Sequence, residues 1–320
     1  MRHVEWRYLI VSYLFLGGLS AGLYFVSALA TLLQKNDEDG AYKRIARLGA
    51  LLAPWPVMLG SLLLIFDLGR WYRFWKLFLH IRWMSPMSLG SWLLISFTLV
   101  SLMYAYFWLT EQQRARIFEN IPKRLLFLQF LNRDSSRKQR VLALSGLPIA
   151  VGVGIYTGVL LGAVQSRPFW NTNLVAQLFL FSALSTGCAA VLLVMSLNDE
   201  QADSRGLQLL YNLDVGLMTL EFFIVVPYLV HGQLSVQAVK DSLNLVLGGP
   251  FTFLFWVLFL GCGLLLPLAI EIYESVPALL TQRTVRYNQR ITAVTAVLVL
   301  AGGFLLRYIF VFAGQMSRFD

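Results

Sequence analysis

Cysteine and histidine are almost absent from this chain. Two cysteines, Cys188 and Cys262, stand in 320 residues, each inside a long apolar run, so no disulfide framework, zinc site or iron–sulfur cluster can be built from this chain alone. Both read as packing residues. The three histidines, His3, His80 and His231, fall at or beyond the ends of apolar runs. A haem held between two histidines needs ligands that face each other from within helices, which excludes a b-type cytochrome. Charge is scarce as well: 13% of residues are Asp, Glu, Lys or Arg and 58% are hydrophobic, where a soluble domain has about a quarter charged. A soluble fold is excluded and the bilayer is the natural solvent. A net charge of +9 would suggest nucleic acid for a soluble protein. Here the basic residues sit in stretches between apolar runs, where membrane topology accounts for them.

What the sequence does have is long apolar runs. Eight of them, at about 8–33, 48–68, 88–108, 141–164, 174–197, 207–230, 251–272 and 291–312, are each near the 20 residues that a helix needs to cross the hydrocarbon. Uninterrupted runs of this length do not suit barrel strands, and in lipid every backbone amide needs an internal partner, so the fold class is an all-α integral membrane protein. The first run is too long for a signal-peptide core and lacks a small-residue cleavage site, so it reads as a retained helix. Lysine and arginine divide unequally between the two faces, nine on the side of the termini and sixteen on the other. The positive-inside rule then predicts a cytoplasmic Arg114 to Arg140 loop and both termini outside.

A weak internal echo links Leu19-Ser20-Ala21-Gly22 in the first run to Leu184-Ser185-Thr186-Gly187 in the fifth. An even number of helices lies between, so both copies have the same orientation. This predicts two four-helix bundles, 1–165 and 166–320, related by an axis along the membrane normal. Gly18 and Gly22, and then Gly154, Gly158 and Gly162, recur at GxxxG spacing and read as packing faces.

Ionisable residues at membrane depth are costly unless paired, hydrated or used. Five qualify: Asp67 at the end of the second run, Asp214 and Glu221 in the sixth, Glu271 at the inner end of the seventh and Arg307 in the eighth. Asp214 and Glu221 are seven residues apart, about two turns, and share a helix face. Asp214, Glu221, Glu271 and Arg307 together suggest a proton or ion path through the second bundle, or a structural pairing with Arg307. Asp67 could likewise be a local partner of Arg70 or Arg73. The stretch from Gly69 to Met87 alternates bases with aromatics. It reads as a helix in the headgroup layer or as a docking surface for an extrinsic subunit, through Arg70, Arg73 and Lys76.

Five strings occur together and in order: YLFLGGLSAG (13–22), LLIFDLGRWYRFWKLF (63–78), SPMSLGSW (85–92), GIYTGVLLGAVQSRPFWN (154–171) and RYIFVFAGQ (307–315). Across eight spans, this resembles the NrfD/polysulfide reductase membrane-subunit family. The resemblance implies a quinone-reactive anchor in a bacterial inner membrane, both termini periplasmic, with no haem or iron–sulfur cluster of its own. It would oxidise quinol or reduce quinone, menaquinone or ubiquinone, as an exchangeable substrate. Its partners would be an extracytoplasmic ferredoxin-like iron–sulfur subunit and a molybdopterin or multihaem catalytic subunit. Carried over motif by motif, the quinone site falls on Tyr13, Asp67 and Tyr156. Tyr13 stands where polysulfide-reductase-like members carry a histidine. A phenol can hydrogen-bond a quinone carbonyl but is a poor proton carrier near neutral pH, which leaves the catalytic proton role to Asp67. The rival readings are a secondary transporter, suggested by the repeat and the intramembrane charges, and a purely structural anchor.

Overall fold

The computed structural model describes residues 8–34, 40–67, 85–110, 112–113, 135–197, 204–281 and 288–317. Every long element among them is a helix. In chain order they are α1 (Tyr8–Leu33), α2 (Ala41–Leu52), α3 (Pro54–Asp67), α4 (Pro86–Trp108), α5 (Ser135–Gly162), α6 (Leu174–Leu197), α7 (Ser204–Leu234), a short α8 (Gln237–Leu247), a π-helix (Leu254–Leu265) that runs on into α9 (Leu266–Thr281), and α10 (Gln289–Met316). Eight crossings result, because α2 with α3 makes one, the π-helix with α9 makes another, and α8 is too short. An even number of crossings puts the start of α1 and the end of α10 on one side, the terminal face.

Polarity runs opposite to that of a water-soluble protein. Large exposed side chains on the spans include Trp55, Phe66, Leu99, Phe223 and Val297, while Asp214, Glu221, Glu271 and Arg307 are all buried. An apolar outside is stable only in an apolar solvent, and charges kept inside are what the bilayer demands.

Local chemistry sets the breaks. Gly40, the one described glycine with positive φ, opens α2 in the left-handed conformation that costs other residues strain. Pro54 and Pro56 interrupt the second span at Ala53, since proline has no amide to donate. The Ser20 hydroxyl of α1 donates to the Ala53 carbonyl at this break, and two turns deeper Ser27 donates to the Ala46 carbonyl at 2.5 Å.

The sequence reading starts the second span near 48 and the fourth near 141. Both helices begin earlier, at Ala41 and Ser135. The two added turns at 41–47 are amphipathic, with Ile45 and Ala46 buried and Lys43 and Arg44 exposed, so they lie outside the apolar window that defines a span. Glu271 is also corrected: it does not end its helix but lies ten residues before Thr281, at 1% exposure.

The centre is a pair of helices, α1 and α6. α1 packs on α2, α3 and α5, and α6 on α5, α7 and α10, while α4 packs on α5 and the π-helix on α10. Gly22 and Gly187 meet where α1 and α6 cross: a Cβ built on Gly22 would lie 2.9 Å from the Gly187 Cα. Gly158 sits against the Val175 carbonyl in the same way, at 2.8 Å. The packing role read for these glycines is what the structure shows. Gly18 differs. A Cβ there would stand 2.6 Å from Nη2 of Arg307, so its missing side chain makes room for a guanidinium.

Candidate functional site

Two polar constellations among the described residues gather the residues singled out from the sequence. The first lies near the terminal face in the first half of the chain. Tyr13 is five residues into α1 and Tyr156 six residues from the end of α5, which puts both about 8 Å from that end of their helices. Tyr13 is 1% exposed and its hydroxyl makes no hydrogen bond. The phenol of Tyr156 is close enough to interact with it electrostatically, without the geometry of a hydrogen bond.

One glycine makes room for this pair and a second lies against it. The ring of Tyr156 lies directly on Gly90 of α4, where any Cβ would collide with it. The backbone and ring of Tyr13 lie on Gly60 of α3, at 3.4 and 3.6 Å from where a Cβ would stand. Helices α1, α3, α4 and α5 thus converge on two phenols. From Gly60, α3 runs two more turns to Asp67, its last residue, about 10 Å further toward the terminal face. The Asp67 side chain lies outside the described residues, and so do Arg70, Arg73 and Lys76 of the predicted docking segment. A phenol that holds an unused donor can hydrogen-bond a carbonyl oxygen, and two phenols side by side can serve one polar ring substituent.

The second constellation is centred on Arg307 of α10, which is fully buried. Its Nε donates to the Leu14 carbonyl at 3.2 Å, and its Nη1 to the Gly303 carbonyl at 2.6 Å and to Ser182 Oγ at 3.4 Å. The rings of Phe15 and Phe179 flank it, 5.7 and 5.5 Å from Cζ to the centroids, within cation–π range. Glu221 of α7 lies beside Ser182 and in the electrostatic range of Arg307. Asp214, two turns along the same helix, neighbours Ser185 and Glu271, and Glu271 neighbours Glu274. Tyr211 lies next to Glu274 and shares a 2.7 Å hydrogen bond with Thr292. Both carboxylate oxygens of Asp214 and one each of Glu271 and Glu274 are buried without a donor.

The four residues read from the sequence as a possible proton path are therefore brought together, and Tyr13 is brought to Tyr156. Missed were Gly60, Gly90, Ser182, Glu274 and Tyr211. Gly90 lies within the SPMSLGSW string and Ser185 within the repeated Leu-Ser-Thr-Gly, so those strings marked places that a hunt for titratable residues passes over. Glu274, one turn from Glu271, could have been found from its spacing alone.

The family described as polysulphide reductase, NrfD, matches residues 1–318. The protein belongs to this NrfD family. It is similar to the C subunit of polysulfide reductase from Wolinella succinogenes, 32% identical, over 98% of the present sequence and 95% of that subunit. It is equally similar to protein NrfD of Escherichia coli strain K12, 32% identical over the same shares. A more distant NrfD-like relative is the Hdr-like menaquinol oxidoreductase integral membrane subunit of Archaeoglobus fulgidus, 25% identical over 79% of the present sequence and 58% of that subunit. Relatives of this NrfD-family protein thus include membrane subunits of multi-subunit oxidoreductases.

Proposed function

We propose that this protein is the quinone-reactive membrane subunit of a respiratory reductase complex, in which it exchanges two electrons with an iron–sulfur partner docked on the terminal face. One observation carries the reading: the buried Tyr13 phenol is without a hydrogen-bond partner and lies beside Tyr156, whose ring is seated on Gly90. A buried donor left without an acceptor costs about 1–3 kcal/mol, a cost that a quinone carbonyl would relieve. The family adds support, because a relative is named for menaquinol. Quinol dehydrogenase activity would belong to this subunit and conversion of the terminal substrate to a molybdopterin or multihaem partner.

In this reading Tyr13 and Tyr156 hold the quinone oxygen and Asp67 exchanges its proton, while electrons leave toward the partner. The terminal face would be periplasmic and the membrane the bacterial inner membrane. Residues 1–165 and 166–320 would form two four-helix halves, a division supported by the contact of Gly22 with Gly187 at the heart of the α1–α6 pair. Tyr13→Phe and Tyr156→Phe remove one hydroxyl each and keep the ring. Either change should raise the KM for a quinol analogue roughly tenfold, the worth of one hydrogen bond of about 1.4 kcal/mol, with complex assembly unchanged. Unaltered KM in both would show that no quinone is held by this pair.

Docking of the partner falls to Arg70, Arg73 and Lys76 in the same reading, bases interleaved with aromatics at one end of α3. Arginine and aromatic residues are enriched at interface hot spots. Reversal of all three charges is expected to cut partner content of the purified complex several-fold, measured by subunit staining. Full retention of the partner would leave this stretch as a membrane-surface element only.

A further inference from the structure

Beside α7 the terminal face holds a cavity that neither polar constellation uses. Its volume is about 160 Å³, room for a group the size of a benzene ring. Three segments wall it: the turn between α5 and α6 at 168–172, the end of α7 and the start of α8. Hydrogen bonds fix those walls. Arg167 donates to the carbonyls of Gln315 and Ser317 at the end of α10, at 2.6 and 2.8 Å, and Trp170 to the Phe310 carbonyl at 2.7 Å. Tyr228 of α7 donates to the Phe169 carbonyl at 3.0 Å. A cavity with tied walls is formed before any ligand arrives, which keeps the ordering cost of binding low.

The lining divides into donors and apolar groups. Asn171, His231 and Ser235 line the cavity with side-chain donors that make no hydrogen bond among the described residues. No carboxylate lines it. The start of α8 adds to the same sign: Val236, its cap residue, lines the cavity without a side-chain cap, and the first turn of this 11-residue helix holds no acid, so the partial positive charge of the helix end is uncompensated there. Open donors away from any acid select a ligand with anionic acceptor oxygens. Phe169, Val239 and Leu243 make the rest of the wall, so the ligand also brings carbon to the site.

Depth identifies the source of such a ligand. Helix α7 has 31 residues and is about 46 Å long, against about 30 Å of hydrocarbon and about 40–45 Å with the headgroups included. Its last turn, from His231 to Leu234, therefore stands at the level of lipid headgroups. From there Leu234, Val230, Val226 and Phe223, all exposed, run down one side of α7 into the hydrocarbon. We propose that the cavity binds the phosphodiester headgroup of an anionic phospholipid such as phosphatidylglycerol. The phosphate oxygens accept from His231, Asn171 and Ser235, and the acyl chains stay outside along α7, because the cavity is too small for a whole lipid. A headgroup that ends in an ammonium finds no carboxylate in the lining to receive it. This assignment is independent of the quinone reading.

The test takes the full-length protein from nanodiscs of phosphatidylglycerol and phosphatidylcholine in equal parts and measures retained lipid by native mass spectrometry. Wild type should retain phosphatidylglycerol in preference to phosphatidylcholine. His231→Leu removes a donor and Ser235→Trp fills the mouth; each should weaken that retention roughly tenfold, the least that losing a hydrogen bond to a charged group costs. His231→Gln keeps a donor and should recover part of it, and unchanged melting of all three in lipid-free detergent guards against a folding defect. Equal retention of the two lipids by wild type overturns the proposal, and so does wild-type retention in both His231→Leu and Ser235→Trp. Stabilisation by inorganic phosphate in lipid-free detergent, with no retained phosphatidylglycerol, would give the cavity to a soluble anion and overturn the lipid assignment. The assembled complex supplies the last arm: a photo-crosslinker at position 231 that captures a partner subunit, with the lipid absent, would give the cavity to protein and overturn it as well.

Discussion

Asp67→Asn is expected to lower quinone-dependent electron transfer by roughly 100-fold or more, the usual effect of removing a general base, while the complex still assembles. The substitution keeps volume and much of the hydrogen-bonding capacity but removes the titrating group. Position carries the argument: α3 presents Gly60 to Tyr13 and ends two turns later at Asp67, and no other acid stands in the terminal-face half of the first four spans. The phenols are too weakly acidic to exchange a proton near neutral pH. An alternative role is to anchor Arg70 or Arg73, and it predicts the reverse pattern, with loss of partner content and normal turnover per assembled complex. Both readouts from one preparation separate the two. Normal turnover in fully assembled Asp67→Asn complex would remove Asp67 from the mechanism.

The fold was legible because lipid leaves little choice. Eight apolar runs of spanning length can only be eight helices, and the described residues hold eight helices long and apolar enough to cross a membrane. Less legible were the polar turns at 41–47 and 135–140, where helix continues beyond the hydrocarbon and periodic burial of Ile45 and Ala46 replaces continuous apolarity. The site divides along the same line. Buried carboxylates and Arg307 stood out in the sequence because a charge in an apolar run is costly wherever it points. Which of them meet was not visible, since Arg307 and Leu14 are 293 residues apart. Glycines were legible as spacing but not as purpose: Gly22 admits a helix, Gly18 a guanidinium and Gly90 a tyrosine ring. Only tertiary packing tells these apart.

Arg307→Leu should destabilise the protein by about 3–5 kcal/mol, the range for losing one member of a buried charged pair, read as unfolding of the purified complex. Two losses contribute. The guanidinium ties α10 to α1 through Leu14 and to α6 through Ser182, and each membrane-buried hydrogen bond is worth about 0.6 kcal/mol. Its removal also leaves Glu221 without a counter-charge. Arg307→Lys keeps the charge but cannot reproduce a fork that reaches Leu14, Ser182 and Gly303 at once, so it should recover only part of the loss. The double variant Arg307→Leu with Glu221→Gln separates the two contributions. If Glu221 is ionised in the resting protein, neutralising it should restore at least about 1 kcal/mol, a non-additivity expected of groups that share one network. If Glu221 is protonated at rest, the double variant should be no more stable than Arg307→Leu alone, and the whole loss then belongs to the guanidinium's own bonds. Wild-type stability in Arg307→Leu would contradict both, because a fully buried cation with three carbonyl and hydroxyl acceptors would then contribute nothing to holding α1, α6 and α10 together.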